Sequence, residues 1–295
     1  FYNFTAPKIK CMKITAPALI LAFIAFACNP GGRKTETMKT TGTIERLDPE
    51  INALIKEDAV AEIISEGYEW SEGPVWIEAQ KMLLFSDVPA NKVYKWTEAG
   101  GTEVYLDPSG YTGTEPTASL EPGANGLTLN TEGKLVLCQH GDRRVAVMSS
   151  AVTAPTSSFT SLSDNYRGKR LNSPNDVVMR SNGDFFFTDP PYGLPGRGAE
   201  DDPLKELPFQ GVYKISAAGE TILITDSLTR PNGIALTPDE KTLIVANSDP
   251  DKAIWYAFDL GENDTVSNAR ILFDATVNAK TESGLPDGFK IDRKG

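Results

Sequence analysis

Histidine is nearly absent: His140 is the single one in 295 residues. A zinc site built on imidazoles needs two or three, and Cys11, Cys28 and Cys138 are too widely separated to form a two-cysteine ligand spacing. A Ser-His-Asp triad would have to use the same His140, and no G-x-S-x-G elbow is present to expose a nucleophile. The common hydrolase chemistries are thereby mostly excluded. Basic stripes are lacking too, so nothing offsets the net charge of −11 and nucleic acid is set aside as a partner.

What is present favours short strands. The 20 prolines and 25 glycines are spread along the chain, and the Val, Ile, Phe, Tyr and Trp clusters between them are brief. The length allows one large domain or two ordinary ones. Near the N-terminus, "MKITAPALILAFIAFACNPGG" starts at Met12 with Lys13 and runs through apolar residues 17–27 to Cys28. Eleven residues are too few to span a bilayer but suit the apolar region of an export signal. Ala27-Cys28 followed by a polar stretch resembles a bacterial lipoprotein cleavage site, although Ala25 and Phe26 stand where Leu and a small residue are usual. The expectation is an export segment over 1–28, with 1–11 ahead of the start Met. Cys28 would carry lipid and be the chain's one link to a membrane, in the periplasm or cell envelope of a bacterium. Residues 29–55, rich in Thr, Lys and Gly, read as a flexible linker.

The remainder, 56–295, repeats itself. The segments "EGPVWIEAQKMLLFSD", "NGLTLNTEGKLVLCQH", "NDVVMRSNGDFFFTD", "NGIALTPDEKTLIVAN" and "DGFKIDRKG" start at positions 72, 125, 175, 232 and 287, spaced 53, 50, 57 and 55 residues apart. Each opens on an oxygen-bearing side chain, runs through an alternating strand and a tight polar turn, and enters a second apolar strand. Further strands are expected at 211–216, 220–225, 253–259 and 269–274, giving four per unit. Even spacing with several strands per unit predicts an all-β fold, a β-propeller. Gly295 takes the turn position held by Gly133 and Gly183. The chain is thus expected to stop within the first hairpin of a fifth blade, with 60–69 completing a sixth; about the last blade and a half would be missing, and the propeller would be incomplete. The 190–210 stretch is too long for a hairpin turn, and a loop of that length is often functional.

In a propeller the first strand of every blade lines the central channel, so Glu72, Asn125, Asn175, Asn232 and Asp287 are expected to converge at one mouth. Asn and Asp also serve as turn formers at strand entries, but Glu72 in the same register does not fit that role. Oxygen donors facing one point suit one hard divalent ion, Ca²⁺ ahead of Mg²⁺ or Mn²⁺, with Zn²⁺ a further alternative.

"EGPVW", "SPND", "RPNGIALTPDEKTLIVANS" and "LPDG" resemble, in order, the senescence-marker-protein/gluconolactonase/luciferin-regenerating-enzyme family, the regucalcin-like group. "TDPPYGL…ELPFQGVY" is similar to its bacterial gluconolactonase branch, and the resemblance covers about 60–295. It implies a six-bladed propeller with one divalent metal in the channel and hydrolysis of sugar lactones. Carried over by position, Glu72, Asn232 and Asp287 would hold the metal, with Asn175 a fourth ligand or a substrate contact.

Lactone hydrolysis needs a polarised carbonyl and an activated water, both of which a metal can serve. Asp287 is expected to assist proton transfer. Asp176 follows Asn175 and should alternate away from the axis, holding a ligand or a neighbouring strand in place. Asn125, Arg170, His140 and Tyr192 are the further candidates for substrate contact. Paraoxonase-type lactonases use a histidine pair at places where this chain has Asn125 and His140, so no such pair exists here. Cys138 reads as a core thiol. The alternatives are a related ester or lactone hydrolase, or a non-enzymatic cell-surface propeller that binds a sugar or protein around a structural ion.

Overall fold

A computed structural model describes residues 39–196, 202–261 and 265–295. The expected export segment, with Cys28, lies outside the described residues. The chain divides into two compact units between Glu62 and Ile63.

In the described part of the first unit, β1 (Thr40–Thr41) pairs antiparallel with β2 (Ala61–Glu62). Between them runs a 3₁₀ turn, Pro49–Ala53, whose start is capped by the Asp48 carboxylate accepting from the Glu50 N–H. Part of the stretch read as linker therefore has local structure. Residues 61–62 are already paired to β1, so the segment 60–69 adds no strand to a blade. Tyr68 instead packs its ring on Phe85 and Tyr94, at centroid distances of 4.9 and 4.8 Å.

Among its described residues the second unit contains four antiparallel four-stranded sheets, each in sequence order. The first is β3 (Ser71–Ile77), β4 (Met82–Asp87), β5 (Lys92–Thr97) and β6 (Gly101–Leu106). The second is β7 (Ala124–Leu129), β8 (Leu135–Gln139), β9 (Arg144–Met148) and β10 (Phe159–Ser163). A small hairpin, β11 (Asn165–Tyr166) and β12 (Lys169–Arg170), precedes the third sheet. That sheet is β13 (Val177–Met179), β14 (Phe185–Asp189), β15 (Gly211–Ile215) and β16 (Thr221–Thr225). The fourth is β17 (Pro231–Leu236), β18 (Thr242–Asp249), β19 (Lys252–Leu260) and β20 (Val266–Asp274). The strands expected at 211–216, 220–225, 253–259 and 269–274 all form. Residues 287–295 hold no strand, because a ladder needs a partner and no described residue pairs with them.

Alternation along the second strand of each sheet explains how the sheets stack. Leu135 and Leu137 join Ile77, Met82 and Leu84 of the first sheet in one core. Val136 and Cys138, pointing the other way, join Val177, Phe185, Phe187 and Tyr213 of the third. Phe186 then turns to Ile234, Leu243 and Val245 of the fourth. Every interface between neighbouring sheets is thus an apolar layer, and the second strands are buried on both faces. Phe186 and Phe187 are fully buried on opposite faces of one strand. Truncating either to alanine removes a ring from a different inter-sheet layer, and losses of ~3–5 kcal/mol are typical of such cores.

Candidate active site

The repeated oxygen-bearing residues occupy irregular backbone at the head of each first strand. Register shifts fall between Glu72 and Val75, between Ala124 and Leu127, and between Pro231 and Ile234. An extra residue in a ladder twists the strand and re-aims its side chains. In the third repeat β13 begins at Val177, just after Asn175 and Asp176. The Asn175 N–H still donates to the Thr188 carbonyl at 2.9 Å, and the Thr188 N–H to the Asp176 carbonyl at 3.1 Å.

Neighbouring repeats are stitched together at this level. Ser86 Oγ of β4 donates to the Asn125 carbonyl at 2.9 Å, and Thr188 Oγ1 of β14 donates to the Asn232 carbonyl at 2.6 Å. The Gly126 N–H donates to the Asn175 carbonyl at 2.7 Å. This contact is close enough to exclude side chains. A Cβ on Gly73 would stand 2.1 Å from the Asn125 carbonyl oxygen, and one on Gly233 would stand 2.4 Å from that of Asp287. Gly73 also has φ +56, where L-residues are strained.

Asp176 replaces that glycine in the third repeat, and its surroundings account for the substitution. Its carboxylate accepts from the Val177 N–H at 2.9 Å and from the Ile234 N–H of the next sheet at 3.3 Å. Burial pushes its pKa up, opposed by Lys290 and these two backbone donors. The expected tie to a neighbouring strand is present. Asp176 nevertheless lines the axial cavity rather than turning away from it.

Two adjoining cavities of about 290 and 250 Å³ occupy the mouth, and Glu72, Asn125, Asn175, Asn232 and Asp287 line both. Five residues scattered over more than two hundred positions therefore meet at one place. Tyr192 lines the second cavity. The loop that carries it is tied down by Ser173, whose Oγ donates to the Pro190 carbonyl at 2.6 Å and accepts from the Gly193 N–H at 2.9 Å. Burial pushes the Tyr192 phenol up to about 12, against a hydrogen bond with Ser248 and the charge of Arg230. Glu72 is raised to about 7, first by burial and then by repulsion from Asp287. The Trp70 indole N–H, donating to Glu72 Oε1 at 2.6 Å, opposes the rise, while Asp176 and Glu121 add to it. A further apolar cavity of about 220 Å³, lined by Ile64, Tyr68, Leu83 and Phe85, touches Glu72 but lacks convergent polar groups.

Arg170 is not brought here. It is exposed on β12, its guanidinium donates to the Asp142 carbonyl at 3.0 Å, and its N–H is taken by Glu206. The arginine on the cavity wall is Arg230. His140 is fully buried and lines neither cavity; its ring stands behind Glu121, with Nδ1 4.0 Å from Glu121 Oε2. Burial drives the imidazole down to about 4, so it is neutral. Cys138 is a buried free thiol of the inter-sheet core, as expected. Trp70, Glu121, Arg230 and Ser248 escaped the sequence reading because they lie outside the repeated register. Arg230 had a signal in "RPNG", two residues ahead of Asn232.

The donor set suits a hard cation. Among the described residues no three His, Cys, Asp or Glu side chains form a metal-holding group. The carboxylates of Glu72 and Asp287 are instead accompanied by the amides of Asn175 and Asn232. A positive charge among them would relieve the repulsion that raises Glu72, and amide oxygens complete such a site without adding negative charge.

Residues 70–295 match the family model described as "SMP-30/Gluconolactonase/LRE-like region". A gluconolactonase from Zymomonas mobilis is 36% identical over 293 residues, covering 97% of this chain and 81% of that protein. Among solved structures, a gluconolactonase from Xanthomonas campestris superposes with a TM-score of 0.72 at 31% identity, covering 88% of this chain and 78% of that one. A calcium-binding regucalcin from Agrobacterium tumefaciens shares the fold at a TM-score of 0.52 and 14% identity, covering 72% and 63%. With its repeats, its four sheets and its axial cluster of oxygen side chains, the chain belongs to the SMP-30/gluconolactonase/LRE-like family.

Proposed function

We propose that this protein hydrolyses sugar lactones with the help of one divalent cation, Ca²⁺ in the first instance, on a propeller scaffold of six blades. The observation that carries the reading is the meeting of Glu72, Asn125, Asn175, Asn232 and Asp287 around one polar cavity. The gluconolactonase similarity supports the reaction class. The repeat of about fifty residues supports the propeller scaffold, and the number of blades rests on the family resemblance.

Glu72, Asn232 and Asp287 would hold the ion, with Asn175 as fourth ligand or as a contact to the sugar. When bound, the ion supplies a positive charge that polarises the lactone carbonyl and acidifies water. Asp287 is solvent-exposed at the rim, so its carboxylate can take the proton from the attacking water. The ring oxygen that leaves as the lactone opens receives a proton in turn, giving the aldonic acid. Asn125 and the Asn175 amide offer donors and acceptors to sugar hydroxyls, and Tyr192 closes one side of the cavity. No covalent nucleophile takes part.

The direct test is hydrolysis of glucono-1,5-lactone with and without chelator, followed by adding back Ca²⁺, Mg²⁺, Mn²⁺ or Zn²⁺. Loss with chelator and recovery with one ion is expected. Turnover that ignores chelator sinks the metal-assisted step, and hydrolysis of no lactone leaves a sugar-binding propeller as the reading to pursue.

A pH dependence follows from Glu72. Its carboxyl titrates near 7 without the ion, well above the usual 4.5. Below pH 7 a cation must displace its proton, so affinity should weaken about tenfold per pH unit there and level off above. The sign for folding is the reverse. The metal-free fold binds this proton more tightly than the unfolded chain, so Glu72 favours folding at low pH and that contribution is lost as pH rises through 7. Thermal unfolding with and without Ca²⁺ at pH 6 and pH 8 checks both: the Ca²⁺-induced rise in midpoint should be larger at pH 8.

A further inference from the structure

His140 poses a problem that the lactonase reading leaves open. It is fully buried, and neither ring nitrogen meets a partner in hydrogen-bond geometry among the described residues, although the Glu121 backbone lies close enough to counter part of the burial effect. Buried polar groups without partners are uncommon and cost stability, so such a ring calls for an explanation.

Its position is tightly fixed. The His140 N–H donates to the Gly123 carbonyl at 3.1 Å and the Gly141 N–H to the Pro122 carbonyl at 3.2 Å, which clamps the end of β8 to the segment carrying Glu121. On the other side the 190–194 loop presses on the ring: a Cβ on Gly193 would stand 2.5 Å from His140 Cβ and 2.8 Å from its Cγ. His140 is therefore held between the two segments that bring Glu121 and Tyr192 to the cavity. The Glu121 carboxylate is mostly buried, with 20% of its side chain exposed, and it faces the second cavity. Its Oε2 lies 4.0 Å from Nδ1, one small side-chain movement beyond a hydrogen bond.

We infer that Glu121 is a sugar-hydroxyl-binding residue of this site and that His140 is its positioning residue, donating from Nδ1 to the Glu121 carboxylate when substrate draws the pair together. A carboxylate with two acceptor oxygens suits the neighbouring hydroxyls of a polyhydroxylated lactone, and a neutral imidazole can direct it without cancelling its charge. Hydrogen bonds within an active site are often long without substrate and shorten in the complex. Glu121 here selects the substrate and takes no part in bond breaking. The inference rests on the lactonase reading for its substrate class.

The test compares glucono-1,5-lactone with δ-valerolactone, which has the same ring and no hydroxyls. Glu121→Ala should raise KM for glucono-1,5-lactone by about tenfold or more and leave δ-valerolactone hydrolysis nearly unchanged. His140→Ala should reproduce much of that loss, and the double variant should be no worse than Glu121→Ala. His140→Asn, whose side-chain NH₂ can stand where Nδ1 does, should restore KM, which a merely structural role would not predict. Thermal unfolding of each variant identifies any that fails to fold. The inference is overturned if Glu121→Ala weakens both lactones alike or neither, if the losses add in the double variant, or if Asn fails to rescue. Should the wild type hydrolyse neither lactone, the reaction class falls, and calorimetry with D-gluconate still reads the subsite: unchanged affinity in Glu121→Ala, or no binding at all, overturns it.

Discussion

Asp287→Ala is expected to lower kcat for glucono-1,5-lactone by about 10²- to 10⁴-fold, the range for a lost general base, while the unfolding midpoint hardly moves. Asp287 lies on a segment without strand pairing and is solvent-exposed, and its carboxylate accepts a local hydrogen bond from the Gly288 N–H at 2.8 Å. Substitutions at such positions usually change stability by no more than ~0.5 kcal/mol. Its carboxylate nevertheless lines both axial cavities, and its charge helps to raise the pKa of Glu72. Asp287→Asn separates its two roles. The amide keeps an oxygen for a cation but has no basic site, so Ca²⁺-dependent stabilisation should be partly retained while turnover is lost. A variant of either kind that keeps wild-type kcat would falsify the assignment of proton transfer to Asp287.

Gly73→Ala should fail for the opposite reason, through stability. The added Cβ would stand 2.1 Å from the Asn125 carbonyl oxygen, which is backbone of the next sheet and cannot swing aside. Overpacking typically costs ~1–3 kcal/mol, and the left-handed conformation adds ~1 kcal/mol. The sum, about 2–4 kcal/mol, is a large share of a protein's net stability. Catalysis should suffer as well, since relieving the clash moves Glu72 apart from Asn125. Gly133→Ala is the control: it also has positive φ, at +72, but open space around the added carbon. It should lose only the conformational part. Urea unfolding of both variants decides, and equal losses would mean that the close approach of the two sheets carries no energetic weight.

Much of the fold was legible because it repeats. Alternation with period two marks strands, and spacings of 50 to 57 residues between similar segments mark units of several strands. Glu72, Asn125, Asn175, Asn232 and Asp287 could be singled out together because they hold one place in that repeat. Where the repeat offered no guide, the reading missed. Residues 61–62 found a partner in β1, which no repeat foreshadowed. Asp176 was expected to alternate away from the axis, but alternation applies to regular strand, and β13 begins one residue later.

The sequence by itself determined the strand pattern, the register of the oxygen side chains and, by its shortage of histidine and paired cysteine, a chemistry based on oxygen donors. These are local or periodic properties, written in residue type and spacing. Only the tertiary structure decided which other side chains share the cavity. Trp70, Glu121, Arg230 and Ser248 come from loops and strand ends whose meeting depends on how one sheet stacks on the next. It also decided that Arg170 points to Asp142 and that His140 stands behind the wall. Contacts between sheets join residues about fifty positions apart through packed apolar layers such as the one centred on Leu135 and Leu137. Their geometry depends on side-chain volume and backbone approach across each interface, which no stretch of one strand encodes.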